Sequence, residues 1–326
     1  MNNSLISLKK LEFTLCTSRD ELRRIADRVG RLYEPYDLHK KGTDKWRHID
    51  NPHDELKKLQ RIINKNVLKK NISLLPERMT GGITGKSIID NAKNHVGKEY
   101  ILIVDIKNCF PNTDQLKILH VWRTYFGCGN TTARILTQLT TFQARLPQGA
   151  PTSSLLCNFA LLPIFRKIDH YASLNNLSFS IFVDDITISG RKADVIKSIK
   201  PIIKILKEHD YAVKKKKIKI FASGYSQRTT GINVNKKLSV GRRKLNEIRK
   251  LIIESAKLKG YLPSTLINKI TGDINFTKQV SPNDGKKLKE LANKLLIAPI
   301  KIVKSESDCN TRTCNDFKRN HKYILD

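Results

Sequence analysis

Apolar positions along the chain follow two periods, the three-and-four spacing of an amphipathic helix and the near-continuous or alternating run of a strand. Leu22, Ile25 and Val29 predict a helix within the stretch from Leu5 to Arg31. Asp54 opens a second helix, ending before Pro76, with Leu56, Leu59, Ile62, Ile63 and Val67 inward and Lys57, Lys58, Arg61 and Lys65 outward. The run Tyr100-Ile101-Leu102-Ile103-Val104-Asp105-Ile106 reads as a strand buried on both faces and closing on a carboxylate. After Pro111, Thr113 or Asp114 caps a helix carrying Leu116, Leu119, Val121 and Trp122, and another spans Thr131 to Phe142. Thr152 or Ser153 starts a helix carrying Leu155, Leu156, Phe159, Leu162, Phe165 and Ile168. The stretch Phe179 to Gly190 then reads as strand, tight turn, strand. Beyond it come an amphipathic helix from Ala193 to His209, a strand from Gln227 to Asn235, a basic helix from Arg242 to Lys257 and more helix from Ser264 to Ile297. The pattern is that of an α+β protein.

Chemistry concentrates at the strand ends. Asp184 and Asp185 sit between two β-branched and aromatic runs, where a hairpin tip brings adjacent carboxylates together. The pair is either a solvated Asp-Asp turn or a site for a divalent cation, because hard oxygen donors suit magnesium. Asp105, at the end of a buried strand, is costly without a partner, which a metal shared with Asp184 and Asp185 would supply. Around Gly42, a strand, a basic turn and a second strand place Lys40 and Arg47 on either side, able to close on a triphosphate; a solvated basic hairpin is the plainer reading. Pro147-Gln148-Gly149-Ala150-Pro151 is a rigid turn against which a flat group fits, with Gln148 placed to hydrogen-bond. Asn91 and His95 are four apart in a helical stretch and share a face from which an amide and an imidazole can contact a nucleic-acid strand. Gly81-Gly82-Ile83-Thr84-Gly85-Lys86-Ser87 is not a Walker loop, since Thr80 stands where a glycine is needed, but its amides and Lys86 can approach a phosphate.

Charge narrows the partner. In 326 residues, 61 Lys and Arg stand against 30 Asp and Glu, a formal net charge of +31. Residues 191 to 260 alone hold 21 basic and 5 acidic side chains, a footprint more than a uniform coat, and nucleic acid is the economical polyanion. No apolar run reaches the roughly 18 residues of a spanning helix, no secretory leader is read at the N-terminus, and a cytoplasmic protein without a membrane partner is expected. Cys16, Cys109, Cys128, Cys157, Cys309 and Cys314 are expected as reduced thiols; Cys309 and Cys314 near His321 are a loose cluster, not a zinc spacing.

Taken together, these motifs resemble the reverse transcriptases. Asp105 with Phe110 is similar to their first palm motif, Leu146-Pro147-Gln148-Gly149-Ala150-Pro151 to their second and Phe182-Val183-Asp184-Asp185 to their third, in the right order. Phe182 replaces the usual tyrosine. Asn91-Ala92-Lys93-Asn94-His95 matches the Asn-Ala-x-x-His motif of bacterial retron reverse transcriptases, and Thr229-Thr230-Gly231 resembles their Val-Thr-Gly. Other defence-associated bacterial reverse transcriptases are the neighbouring alternative. The resemblance implies a right-hand polymerase with fingers, a ferredoxin-like palm with an antiparallel sheet, and a helical thumb. The expected divisions are 1–99 (N-terminal helix and fingers), 100–240 (palm with a fingers insertion) and 241–326 (thumb and tail).

It also implies roles. Asp105, Asp184 and Asp185 would be catalytic and, with Ile106, would hold two magnesium ions. Lys40 and Arg47 would grip the triphosphate, Phe110 would exclude a 2′-hydroxyl, and Gln148 and Ala150 would line the deoxynucleotide pocket. One lysine among Lys214 to Lys219 would protonate pyrophosphate. Asn91, His95, Arg242, Arg243, Lys244, Arg249 and Lys250 would bind a cognate structured RNA serving as template and primer. The product would be a branched RNA–DNA molecule with an RNA–DNA hybrid, used in phage defence with an effector protein. A non-catalytic RNA-binding protein on the same fold is the reading from another class, and a missing carboxylate would mark it; an RNA-making polymerase would carry a small residue in place of Phe110.

Overall fold

A computed structural model describes residues 7–39, 42, 44–214, 218–258 and 262–297. Lys40 and the cluster of Cys309, Cys314 and His321 lie outside the described residues. The chain divides into two compact units, Met1–Thr230 and Gly231–Asp326. The first has one continuous hydrophobic core running from Leu11 to Tyr211, so the expected division at residue 99 is not a break in the core.

The opening stretch forms two helices, α1 (Leu8–Leu15) and α2 (Arg19–Arg28), rather than one. Cys16 takes φ 50° and ends α1, and the Ser18 side chain accepts from the Glu21 N–H to start α2. No glycine or proline announces that break. Strands β1 (Tyr33–His39) and β2 (Trp46–Pro52) pair antiparallel as the basic hairpin. Helix α3 (Asp54–Ile63) carries the predicted stripe, with Leu56, Leu59 and Ile63 buried. The chain stays helical beyond it, as a π segment (Asn64–Leu68) that buries Val67 and then a 3-10 segment (Lys69–Leu74), before a loop leads to α4 (Ile88–Lys93), opened by a reciprocal capping box between Ser87 and Asp90.

The main sheet is built on β3 (Tyr100–Lys107), whose buried run lies between β5 (Asp185–Gly190) on one side and β6 (Ala212–Val213) and β7 (Lys219–Ala222) on the other, all antiparallel. Strand β4 (Ser178–Phe182) completes the order β4-β5-β3. Between β3 and β4 the chain makes α5 (Cys109–Asn112), α6 (Gln115–Thr124), α7 (Asn130–Thr140) and the long α8 (Ser153–Leu174). Helix α8 is buried on nearly every side despite Pro163, and it packs with α9 (Lys192–Glu208) against the sheet. Phe165 of α8 meets Phe179 of β4 at a ring separation of 4.9 Å. Each such buried aromatic contributes roughly 1.5–3 kcal/mol.

The strand expected across Gln227 to Asn235 is two short pieces, β8 (Arg228–Thr229) and β9 (Ile232–Asn233). The positive φ of Thr230 and Gly231 interrupts it. In the second unit, α10 (Arg242–Ala256), α11 (Ser264–Val280) and α12 (Pro282–Ala292) enclose a small core of Ile248, Ile252, Ile270, Ile274 and Leu288. Among the described residues no helix is long and apolar enough to cross a membrane, and Cys16, Cys109, Cys128 and Cys157 are unbridged thiols.

Candidate active site

The register of β3 against β5 sets the site. Asp105 stands directly opposite Asp185, and in an antiparallel pair directly opposed residues project from the same face about 4.5–5.5 Å apart. The two-residue turn Val183-Asp184 joins β4 to β5, and the Ile106 N–H donates to the Asp184 carbonyl at 2.9 Å. The sheet therefore brings Asp105, Asp184 and Asp185 to one end, with Asp105 buried and the other two half-buried. Like charges held opposite one another are destabilising unless a cation offsets them. The Lys214 ammonium supplies one, with Nζ 3.2 Å from Asp105 Oδ1, and the Lys214 N–H also donates to the Asp105 carbonyl.

The donor set fits hard divalent ions, being carboxylate oxygens with a cationic group already against one of them. Among the described residues, however, no three His, Cys, Asp or Glu side chains are gathered into a cage. The expected set of Asp105, Ile106, Asp184 and Asp185 is thus held together by strand register and by Lys214, and the Ile106 side chain is buried in the core.

The turn itself is strained and buttressed. Val183, β-branched, has φ 57°, as the first central position of a II′ hairpin turn requires. Gly81 backs directly onto it: a Cβ there would lie 2.4 Å from Val183 N and 2.8 Å from the Phe182 carbonyl carbon. Residues 78 to 81 run alongside β4, with Ile181 N donating to Arg78 O (3.0 Å), Thr80 N to Ile181 O (2.9 Å) and Asn158 Nδ2 to Gly81 O (2.8 Å). The loop read as a possible phosphate contact is instead a backstop for the Val183-Asp184 turn. Lys86 is turned into it, donating to the carbonyls of Pro76, Glu77 and Met79, and burial lowers its pKa.

Asn91 and His95 require a correction. Both are fully buried, so neither offers a face to a nucleic-acid strand. Asn91 accepts from Thr80 Oγ1 (3.1 Å) and donates to Thr229 Oγ1 (3.2 Å), which in turn bonds Thr187 Oγ1 of β5 (2.9 Å). His95 lies past the end of α4 and bridges Ser180 of β4 and Ser189 of β5, each at 2.7 Å, one ring nitrogen donating and the other accepting. The Asn-Ala-x-x-His stretch and Thr229 thus pin the hairpin that carries Asp184 and Asp185 from behind. Polar pairs at helical spacing are usually exposed, and only the partners on distant strands reveal these as buried.

Desolvation pushes the His95 pKa down to about 3, helped by the charge of Lys98. Below the ordinary value of about 6.5 the unfolded chain takes up a proton that the folded chain refuses, so stability falls as pH drops from about 6.5 towards 3. Between pH 7 and 5 this group accounts for about 2 kcal/mol of lost stability. Urea unfolding of His95→Gln against wild type should show that much less pH dependence in the variant; equal slopes would contradict the assignment.

Of the nucleotide-site candidates, Arg47 is exposed on β2, Phe110 is half-buried in α5 and Gln148 is half-buried in its turn. Ala150 is buried, its carbonyl accepting from Ser153 N. On α10, Arg242, Arg243, Arg249 and Lys250 are exposed. Arg243 and Lys250 face Glu247 and Glu254 one turn on, weak surface pairs that compete little with phosphate. Lys244 is half-buried and paired with Asp273 at 3.0 Å. Sequence reasoning missed Asp50 and Arg145, whose side chains form a forked ion pair across 95 positions.

Comparison with known proteins agrees with this geometry. The profile of the reverse transcriptase (RNA-dependent DNA polymerase) family matches residues 38–257. Over 235 residues, 71% of this chain and 72% of the relative, the chain is 30% identical to the retron Ec86 reverse transcriptase of Escherichia coli. It is 26% identical to the retron Ec83 reverse transcriptase of the same species over 299 residues, 87% of this chain and 93% of that one. Among solved structures, a Candida tropicalis telomerase in complex with a fragment of telomeric RNA aligns with a TM-score of 0.56 at 10% identity, covering 95% of this chain and 61% of that one, a likeness of fold. By the family match over residues 38–257 and the identity to the retron enzymes, the chain belongs to the reverse transcriptases, RNA-directed DNA polymerases, and among them to the retron type.

Proposed function

We propose that Asp105, Asp184 and Asp185 are the catalytic carboxylates of a polymerase that copies a structured non-coding RNA into single-stranded DNA. The observation that carries this is the register that sets Asp105 opposite Asp185 with the Val183-Asp184 turn beside Ile106. The family uses divalent metal ions; here Asp105, Asp184 and Asp185 would hold two magnesium ions. Bound there, such ions would lower the pKa of the attacking primer hydroxyl and would neutralise charge on the triphosphate and the leaving pyrophosphate.

The remaining work falls to the chain. Arg47, with Lys40, grips the β and γ phosphates as a fork and a point charge. Phe110 lies under the sugar and leaves no room for a 2′-hydroxyl, and Gln148 hydrogen-bonds the incoming nucleotide while Ala150 shapes the floor of its turn. Lys214 is the described lysine of the basic run that lies against a catalytic carboxylate, and it is the one we assign to the proton delivered to pyrophosphate. The exposed cations of α10, Arg242, Arg243, Arg249 and Lys250, grip the RNA phosphates. Template and primer in one RNA, a 2′-hydroxyl start, use in phage defence with an effector protein and a cytoplasmic setting rest on the resemblance to retron enzymes.

The test is to sequence the nucleic acid that copurifies with the protein expressed in its native context. A single RNA species joined through a 2′ linkage to short DNA is expected. Unlinked DNA or simple repeats would overturn the branched-product reading.

A further inference from the structure

Asp50 is a fully buried carboxylate on β2, three residues after Arg47. Its two oxygens take a forked contact from Arg145, with Nη1 to Oδ2 at 2.9 Å and Nη2 to Oδ1 at 3.0 Å. Oδ2 also accepts from the Gln148 backbone N–H at 2.9 Å, and the Asp50 N–H donates to the Gln148 carbonyl at 2.7 Å. His48 Nε2 lies 3.4 Å from Oδ1. Gln148 is therefore held at both its N–H and its C=O by one residue of the basic hairpin. Gly149, at φ 118°, leaves no gap, since a Cβ there would stand 2.9 Å from Ile49 Cγ2 and 3.3 Å from the Asp50 carbonyl oxygen. The other end of the turn is tied to the start of α6, with Leu146 N donating to Thr113 O at 2.8 Å.

From this geometry we infer that Asp50 and Arg145 are positioning residues for the incoming nucleotide, fixing the distance between the phosphate-gripping Arg47 and the pocket residue Gln148. An ion pair between a fully buried carboxylate and a half-buried guanidinium is costly to assemble and offers little net stability over an apolar pair of the same shape, which points to a role in geometry. A planar guanidinium on a carboxylate that also binds a backbone amide permits one arrangement of the two segments; an ammonium or an amide permits several. The inference rests on the reading of Arg47 and Gln148 as nucleotide-binding.

The experiment is steady-state primer extension on an RNA template with varied deoxynucleotide concentration, using Arg145→Lys, Asp50→Asn, Arg47→Ala and wild type, with melting temperature and RNA affinity measured in parallel. Arg145→Lys keeps the charge but loses the fork. The expected result is a KM for deoxynucleotide raised about tenfold in Arg145→Lys and Asp50→Asn, with kcat and RNA affinity close to wild type. A lowered melting temperature with unchanged KM would overturn the inference and leave the pair as a brace of the fold. If Arg47→Ala raises KM while Arg145→Lys does not, the inference alone fails. If Arg47→Ala also leaves KM unchanged, the nucleotide-site reading fails and takes the inference with it.

Discussion

The double substitution of Asp184 and Asp185 by Asn should abolish deoxynucleotide incorporation while the protein still folds and binds RNA. Asparagine keeps the shape of each side chain but removes the charge that a hard cation requires. Asp105 would remain, opposite a neutral residue instead of a carboxylate. Losing two of three anionic donors removes several kcal/mol of transition-state stabilisation, a fall in rate of about a thousandfold or more. Stability should hold or rise slightly, because like charges directly opposed across strands cost energy that the variant no longer bears. Primer extension, thermal melting and RNA binding measured on the same preparation check all three parts. Incorporation within tenfold of wild type would remove the carboxylates from the chemistry.

Gly81→Ala should be the second most damaging change, though residue 81 lies outside the three palm motifs. Its Cβ would sit 2.4 Å from Val183 N and 2.6 Å from Val183 Cγ2, inside the 3.0 Å limit that real Cβ atoms respect. The nearest atom is backbone of the turn that carries Asp184, and the loop cannot back away without breaking the bonds from Thr80 to Ile181 and from Asn158 to Gly81. The turn must therefore shift, and displacement of a catalytic group by a good part of an ångström costs on the order of a hundredfold in kcat. Gly85→Ala is the control: Gly85, unlike Gly81, has positive φ, 83°, but it has open space around it. It should lose about 1 kcal/mol of stability and keep full kcat. Equal kcat for the two variants would mean that the loop does not support the turn.

The elements that could be read from the chain alone were those whose signal is local. Tyr100 to Ile106 announced a buried strand because a sheet covered on both faces demands an unbroken apolar run, and the hairpin at Asp184 followed from β-branched runs on either side of a polar pair. The three aspartates stood out because the motifs that carry them follow one another in order along the chain. What stayed hidden depends on contacts between distant residues. Gly81 and Gly82 look like a phosphate loop because glycine signals close approach without saying to what. Asn91 and His95 look like an exposed polar pair because burial is decided by Ser180, Ser189 and Thr229, 85 or more positions away. Asp50 and Arg145 are ordinary charged residues until the fold sets one against the other.

The central claim is that these aspartates serve DNA synthesis on RNA, and primer extension by the purified wild-type protein tests it most directly. Given a primed RNA template, magnesium and either deoxy- or ribonucleotides, the protein should extend the primer with deoxynucleotides to the end of the template, use ribonucleotides poorly, and stop when the cation is chelated. Failure to join deoxynucleotides while RNA remains bound, or a preference for ribonucleotides, would contradict the account.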